Sequence, residues 1–272
     1  MKHKVIFEVG CFVVLASIPV LAQTVHKEDD NPKQSVQESL KFESYNYDVI
    51  TEGEEFLVDE IPAGRLMHKS GSGVLPVAGN NQGVNILRDS LMQITGLAFG
   101  SGDRPEPTLG KHEKITGKKT DVAVGAEISS DLSLCLLNPR LAVFENEKYT
   151  YYSGGAHGTT ERKYVNYSMT EGKILHVDDI LLPGYSHKLV PFLIDAIADQ
   201  NVPLLVSKDD ITVPGLMKVD EDGLTFVYPP YEIAPYSAGF VEAKVYYYQL
   251  QSAGILNPGA YTLITGQTLM GY

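Results

Sequence analysis

Cysteine is scarce in this chain, and its scarcity excludes more than any single motif establishes. Only two occur in 272 residues. Cys11 falls in the N-terminal leader considered below, so Cys135 stands alone, and neither a disulfide framework nor a cysteine metal cluster can form. Cys135 lies in the apolar stretch from Leu132 to Leu137 and is expected to be a buried, inert thiol. Positive charge is also short. Lys and Arg number 22 against 34 Asp and Glu, a formal charge of −12, which argues against nucleic acid, a ligand that rewards dense basic surface. The same balance suits a cationic partner drawn in by long-range steering, and equally a chain that is merely soluble. No histidine pair has a metal-ligand spacing: His26, His68, His112, His157, His176 and His187 are scattered. No nucleophile elbow, Ser-His-Asp signature, phosphate loop, dinucleotide fingerprint or internal repeat occurs. Neither cofactor nor metal is expected.

What is present begins with an export signal. Residues 1–22 combine a short basic start, a mostly apolar run interrupted by Glu8, and Val20-Leu21-Ala22 before a cleavage point ahead of Gln23. The run falls short of the roughly 20 clean apolar residues of a membrane anchor, so no transmembrane anchor is expected after cleavage. Cys11 lies too early for lipid attachment, which makes a lipoprotein the lesser alternative. Removal of residues 1–22 takes away Lys2, Lys4 and Glu8 and moves the formal charge from −12 to −13. The chain is therefore read as exported, to the periplasm or cell envelope. Residues 23–40, polar and aperiodic, read as a flexible tether.

Beyond the tether, Tyr45, Tyr47 and Val49 alternate on one face of a strand. Gly64 to Gly83 reads as a long irregular connection. Asn81 caps a helix carrying Val84, Leu87, Leu91 and Ile94, closed by Gly96. Gly100 to Lys119 is loop. Alternation then returns at Leu132, Leu134 and Leu136, at Leu141 and Val143, at Tyr149 and Tyr151, and at Val165, Tyr167 and Met169. Glu171-Gly172-Lys173 is a turn and Val177 to Ile180 a short helical start. Ser186 is expected to cap a helix bearing Leu189, Leu193, Ile194 and Ile197. Two last strands carry Leu224, Phe226 and Tyr228, then Val241, Ala243, Val245 and Tyr247. The fold class is α+β, a largely antiparallel meandering sheet with a few helices on one face. Residues 41–125 and 126–272 are taken as two sub-domains.

Two segments are candidates for function. In "YTYYSGGAHGTTERKYVNYSM", residues 149–169, aromatic strands flank a tip in which Gly154, Gly155 and Gly158 permit positive φ and close backbone approach. Tyr152, Gly154, Gly155 and His157 there form either a structural turn with a hydrogen-bonded histidine or a recognition loop, tyrosine giving contact area at low entropic cost. In "YPPYEIAPYSAG", residues 228–239, three prolines take the chain out of the sheet. Tyr231 and Tyr236 on a stiff polyproline-like backbone then either cover the end of the core or line an aromatic groove beside Glu232. A lone Glu232 lacks the second carboxylate that glycoside chemistry needs. Asp178-Asp179 is read as helix capping. Asp220 to Gly223 is read as a hairpin turn, since it lacks the spaced ligands of a calcium loop.

Both segments carry a family resemblance. Gly154, Gly155, Ala156 and His157, followed by Tyr231, Glu232, Ile233, Ala234, Pro235, Tyr236 and Gly239, resemble an exported domain of unknown function. That domain is shared by the lysozyme-sensing anti-sigma-V factor (RsiV) and by the non-catalytic part of a peptidoglycan deacetylase (PdaC). The likeness covers about Leu132 to Leu250. Gly158 and Thr159 depart from the proline and asparagine often found there, and Glu171 from the threonine of the family's turn. The resemblance implies an α+β cell-envelope module, and in the anti-sigma factor a receptor for lysozyme, a basic protein; it does not imply an active site. Signal transduction and deacetylation do not carry over, because the segments that perform them have no counterpart in this sequence. The expectation is an exported binding module for a basic protein or for cell-wall glycan. The alternatives are a cell-wall hydrolase using His157 and nearby carboxylates, and a structural subunit of an envelope assembly.

Overall fold

A computed structural model of the chain describes residues 40–58, 61–77, 81–99, 105–107 and 124–269. The leader and nearly all of the tether, with Cys11 and His26, lie outside the described residues, as do His112 and most of the 100–119 loop. The chain divides into two units: residues 1–130 with 151–156, and residues 131–150 with 157–272.

In the first unit, β1 (Phe42–Val58) pairs antiparallel with β2 (Ile61–Pro76) along nearly its whole length. Tyr45, Tyr47 and Val49 are buried on one face, as their alternation predicts. The irregular connection expected from Gly64 is instead most of β2. Its glycines and polar residues are poor strand formers, and pairing with β1 overrides that weak preference. Gly71 is needed because its Cα lies against the Ser130 carbonyl and the Tyr47 ring, where a methyl would not fit. Helix α1 (Gln82–Thr95) is capped as expected. Asn81 Oδ1 accepts from the Gly83 and Val84 N–H groups, and Gly96 closes the helix at φ 72°. Leu87 and Leu91 are fully buried beside Arg88, whose guanidinium donates to the Pro76 carbonyl at 2.6 Å and pairs with Glu43. Two three-residue strands, β3 (Leu97–Phe99) and β4 (Pro105–Pro107), pair with each other.

Strand β5 (Val124–Leu137) contributes residues to both units. After it come β6 (Leu141–Tyr152), β7 (Thr159–Ser168) and β8 (Lys173–Ile174), and the hydrogen-bonded order is β1-β2-β5-β6-β7-β8. Cys135 corrects one expectation: it is exposed. On β5 Leu132 turns inward, so Cys135 at odd spacing from it turns out. Local desolvation and the Glu145 charge still hold the thiol above its ordinary pKa.

The second unit has the larger core. A separate antiparallel sheet, ordered β11-β10-β9, comprises β9 (Leu216–Val219), β10 (Gly223–Tyr228) and β11 (Val241–Tyr246). Its Leu224, Phe226, Val241, Ala243 and Val245 pack with Leu189, Leu193 and Ile197 of α3 (Ser186–Ala198). Ser186 is the first helical residue rather than the cap, and Tyr185 precedes it in helical geometry. The Glu171 to Lys173 turn forms, with Gly172 at φ 65°. The short helix α2 (Val177–Ile180) follows, and Asp179 accepts from the His176 N–H at 2.8 Å, as capping requires. Asp220 to Gly223 is the β9–β10 turn, closed by Asp220 N–H donating to the Gly223 carbonyl. Tyr247 begins α4 (Tyr247–Ser252) instead of ending β11, and α5 (Pro258–Thr265) completes the chain's helices among the described residues. One buried side chain ties the two sheets of this unit together. Asn166 on β7 accepts from Val219 N–H and donates to the Met217 carbonyl, imitating a neighbouring strand at the edge of β9.

Candidate binding site

The β6–β7 tip spans residues 153–158, and the boundary between the units falls within it. Tyr152, Gly154 and Gly155 go with the first unit. There Gly155 N–H donates to the Tyr152 carbonyl at 2.9 Å, and the Tyr151 hydroxyl reaches the Gly155 carbonyl at 3.3 Å. Of the three tip glycines only Gly154 has positive φ, at 89°. Gly155 therefore does not need the glycine-only backbone expected of it. Tyr152 is 46% exposed.

His157 and Gly158 go with the second unit, where three of the sequence candidates meet. Gly158 is buried, and a methyl in its place would collide with the Tyr149 ring. Its carbonyl accepts from the Tyr236 hydroxyl at 2.8 Å and lies 2.8 Å from Nδ1 of His157, a hydrogen bond for the tautomer protonated there. The His157 ring stacks on Tyr236 with centroids 4.3 Å apart, and Tyr231 stacks on Tyr236 at 5.8 Å. The result is a three-ring array from residues nearly eighty positions apart, pinned at one carbonyl.

The segment carrying Tyr231 and Tyr236 is compact, not a polyproline-like rod. Glu232 N–H donates to the Pro229 carbonyl and Tyr231 N–H to that of Ala234, while Tyr236–Ala238 forms a 3-10 turn. Ile233 and Ala234 are the residues that enter the core. Tyr231 is left 58% exposed, in a left-handed conformation at φ 71° that a tyrosine adopts only at a cost. Glu232 is also exposed, and partial burial pushes its carboxyl above the usual range.

Beside the stack lies a cleft of about 500 Å3, lined by Tyr236, Gly239, Phe240, Glu147, Thr160 and Arg162 among others. Arg162 is its electrostatic centre and was not singled out by the sequence. Its Nε donates to Glu147 at 2.9 Å and lies 3.6 Å from Glu145, its Nη1 donates to Glu242 at 3.0 Å, and Phe240 packs against its plane at 4.3 Å. Desolvation alone would weaken the guanidinium's hold on its proton. The hydrogen bond it donates to Glu147 and the Glu145 charge outweigh it, and the pKa is raised. Three carboxylates thus converge on one cation at the edge of the cleft, and the group carries a net negative formal charge. Glu147 on β6 stands opposite Arg162 on β7 and Glu145 diagonal to it, opposite Tyr164, a cross-strand pattern visible only once the register is fixed. Glu242 comes from β11, and nothing in its local sequence indicates the meeting.

Among the described residues, no group of three or more His, Cys, Asp or Glu side chains is placed to hold a metal ion. No described helix is long and apolar enough to cross a membrane.

A family model described as "Protein of unknown function (DUF3298)" matches residues 178–248, which include the segment of Tyr231 and Tyr236 and all of β9, β10 and β11. No curated protein matches the chain. A member of the DUF3298 family from Bacteroides fragilis NCTC 9343 has a similar crystal structure, with a TM-score of 0.59 and 19% identity over 83% of this chain and 97% of that one. A DUF3298 family protein from Pseudomonas aeruginosa PAO1 is similar at a TM-score of 0.55 and 18% identity, over 86% and 100%. A DUF3298 domain of unknown function is thus detected at residues 178–248, in a chain that shares its fold with two structures of that family.

Proposed function

We propose that the chain is an exported binding module of the cell envelope, and that its second unit receives a basic protein at the aromatic stack and the carboxylate group around Arg162. The observation that carries this is the convergence of Glu145, Glu147 and Glu242 on the single cation Arg162, beside Tyr236, on which the exposed Tyr231 stacks. A lysine or arginine of the partner finds two kinds of attraction there. The half-exposed carboxylates of Glu147 and Glu242 offer charge, and the exposed ring of Tyr231 offers cation–π contact, worth about 0.5–2 kcal/mol. The formal charge of −12 adds steering at longer range. The export reading rests on the leader pattern of residues 1–22. The resemblance to the lysozyme-sensing anti-sigma factor makes lysozyme the first partner to try.

Surface plasmon resonance of the mature chain with lysozyme and with neutral peptidoglycan fragments is the test. Between about 50 and 500 mM salt the Debye length falls from roughly 14 to 4 Å, so lysozyme association should slow markedly. Absence of lysozyme binding at low salt, with salt-independent binding of the glycan fragments, would replace the basic partner with a cell-wall glycan.

A further inference from the structure

The second unit carries another pair of exposed tyrosines that the binding reading has not used. Tyr246, at the end of β11, and Tyr248, in the first turn of α4, are 39% and 67% exposed. Their rings lie 5.6 Å apart and within 19° of parallel. Tyr248 is the most exposed large hydrophobic side chain among the described residues, and an exposed, paired aromatic surface is the usual composition of an interface anchor.

Its position gives the pair meaning. In β11, Val241, Ala243 and Val245 are buried, so Glu242, Lys244 and Tyr246 share the outward face. Glu242 is the residue that reaches Arg162 in the cleft. Four residues further along the same face, about 13 Å away at strand spacing, stands Tyr246. Lys244 lies between them, its ammonium paired with Asp222 at 2.6 Å, near Asp220, and 5.4 Å from the Tyr246 ring centre. One face therefore runs from the cleft through a charged strip to a second aromatic platform. Along it the carboxylates of Glu145, Glu147, Glu242, Asp220 and Asp222 outnumber the cations Arg162, Lys218 and Lys244.

We infer that the contact surface continues along β11 to Tyr246 and Tyr248, so that the partner it fits is a folded basic protein rather than a short basic segment. This rests on the reading of the cleft as the site of a basic partner. Two aromatic anchors separated by a net acidic strip suit a footprint of the order of 800 Å2 per partner, the size of a specific protein interface. A tripeptide, whose backbone spans at most about 10 Å, cannot cover the whole strip from the cleft to Tyr248 as a folded surface does.

The test uses the mature chain, Tyr248→Ala and Tyr248→Phe, titrated calorimetrically at low salt with lysozyme and with triarginine amide. Tyr248→Ala should weaken lysozyme about five- to ten-fold, leave triarginine within two-fold, and leave the melting temperature unchanged. Tyr248→Phe, which keeps the ring, should recover most of the lysozyme affinity. Lysozyme affinity within two-fold of wild type for Tyr248→Ala, or an equal loss for both ligands, overturns the inference. Wild-type binding of triarginine without lysozyme also overturns it while leaving the cleft reading in place. Failure of the wild type to bind either ligand removes both.

Discussion

The two tyrosine platforms of the second unit are built in opposite ways. Tyr231, Tyr236 and His157 are brought together across nearly eighty residues. They are pinned by two hydrogen-bonding contacts to one carbonyl, with one member held in a left-handed backbone conformation. Tyr246 and Tyr248 are two residues apart and meet because a strand turns into a helix between them, at a junction where Tyr246 N–H donates to Gln249 Oε1. The first platform is organised before any ligand arrives, and its residues cannot move independently. The second needs only a local junction, and its outer ring is largely in water. Preorganised rings lose less freedom on binding, so the first should carry more of the affinity, and the Gly158 carbonyl that anchors it more of the stability.

The comparison breaks most readily at Gly158. Gly158→Val places a branched side chain into the Tyr149 ring and displaces the carbonyl that orients Tyr236 and His157. Overpacking of this kind costs about 1–3 kcal/mol, roughly 2–10 °C in melting temperature for a chain of this size. Thermal melts should rank it well above Tyr248→Ala, which should lie within about 0.5 kcal/mol of wild type. A smaller loss is expected for Tyr236→Phe, which removes only the hydroxyl donated to Gly158. About 0.5–1.5 kcal/mol should disappear, and the His157 ring signals in NMR should shift as the stack loosens. No such shift is expected for Tyr246→Phe.

A pH dependence sharpens the same contrast. Burial raises the Glu232 carboxyl above the usual range, so the proton leaves at higher pH than from an ordinary glutamate. The neutral form is the one favoured by partial burial, so folding gains nothing from ionising Glu232. A basic partner, in contrast, gains a charge as pH rises through that elevated value. Lysozyme affinity should therefore begin to fall, on acidification, before ordinary carboxylates protonate, and Glu232→Gln should remove that early limb. Persistence of the limb in Glu232→Gln would assign it to another group. A change smaller still is expected at the helix start. Asp179 is held below the usual carboxylate range, chiefly by the His176 N–H and also by Lys173. Its stabilisation is present above the unfolded carboxylate value of about 3.9 and is lost as pH falls through the depressed folded one. Asp179→Asn should thus cost about 0.5–1 kcal/mol near neutrality and nothing at the acid end.

How much of this the sequence disclosed follows from the same distinction between local and distant construction. The α1 caps, the buried Tyr45-Tyr47-Val49 face, the Asp220 to Gly223 turn and the α2 capping were readable, because each is settled within a few residues. Strand β2 was missed, because Gly64 to Gly73 has little strand preference of its own and is extended through pairing with its neighbours β1 and β5. Cys135 was placed on the wrong side, because a run of apolar residues does not reveal which alternate positions face inward. His157, Tyr231 and Tyr236 were visible as residues, yet His157 and Tyr236 meet at Gly158 across nearly eighty positions, which no local pattern discloses. Arg162 and Glu242, eighty residues apart, could not be paired by any local pattern.

The most direct measurement on the central claim is at Tyr231. A tyrosine at φ 71° occupies a conformation that glycine adopts without penalty, so the chain keeps it there against its own stability. Tyr231→Gly should leave the melting temperature unchanged or raise it by a few degrees. The same substitution should speed lysozyme dissociation about ten-fold, the effect of losing an anchor worth about 1.4 kcal/mol, with association altered less than two-fold. A clear fall in melting temperature together with unchanged dissociation would contradict the account, making Tyr231 part of the scaffold and not of the surface that meets a partner.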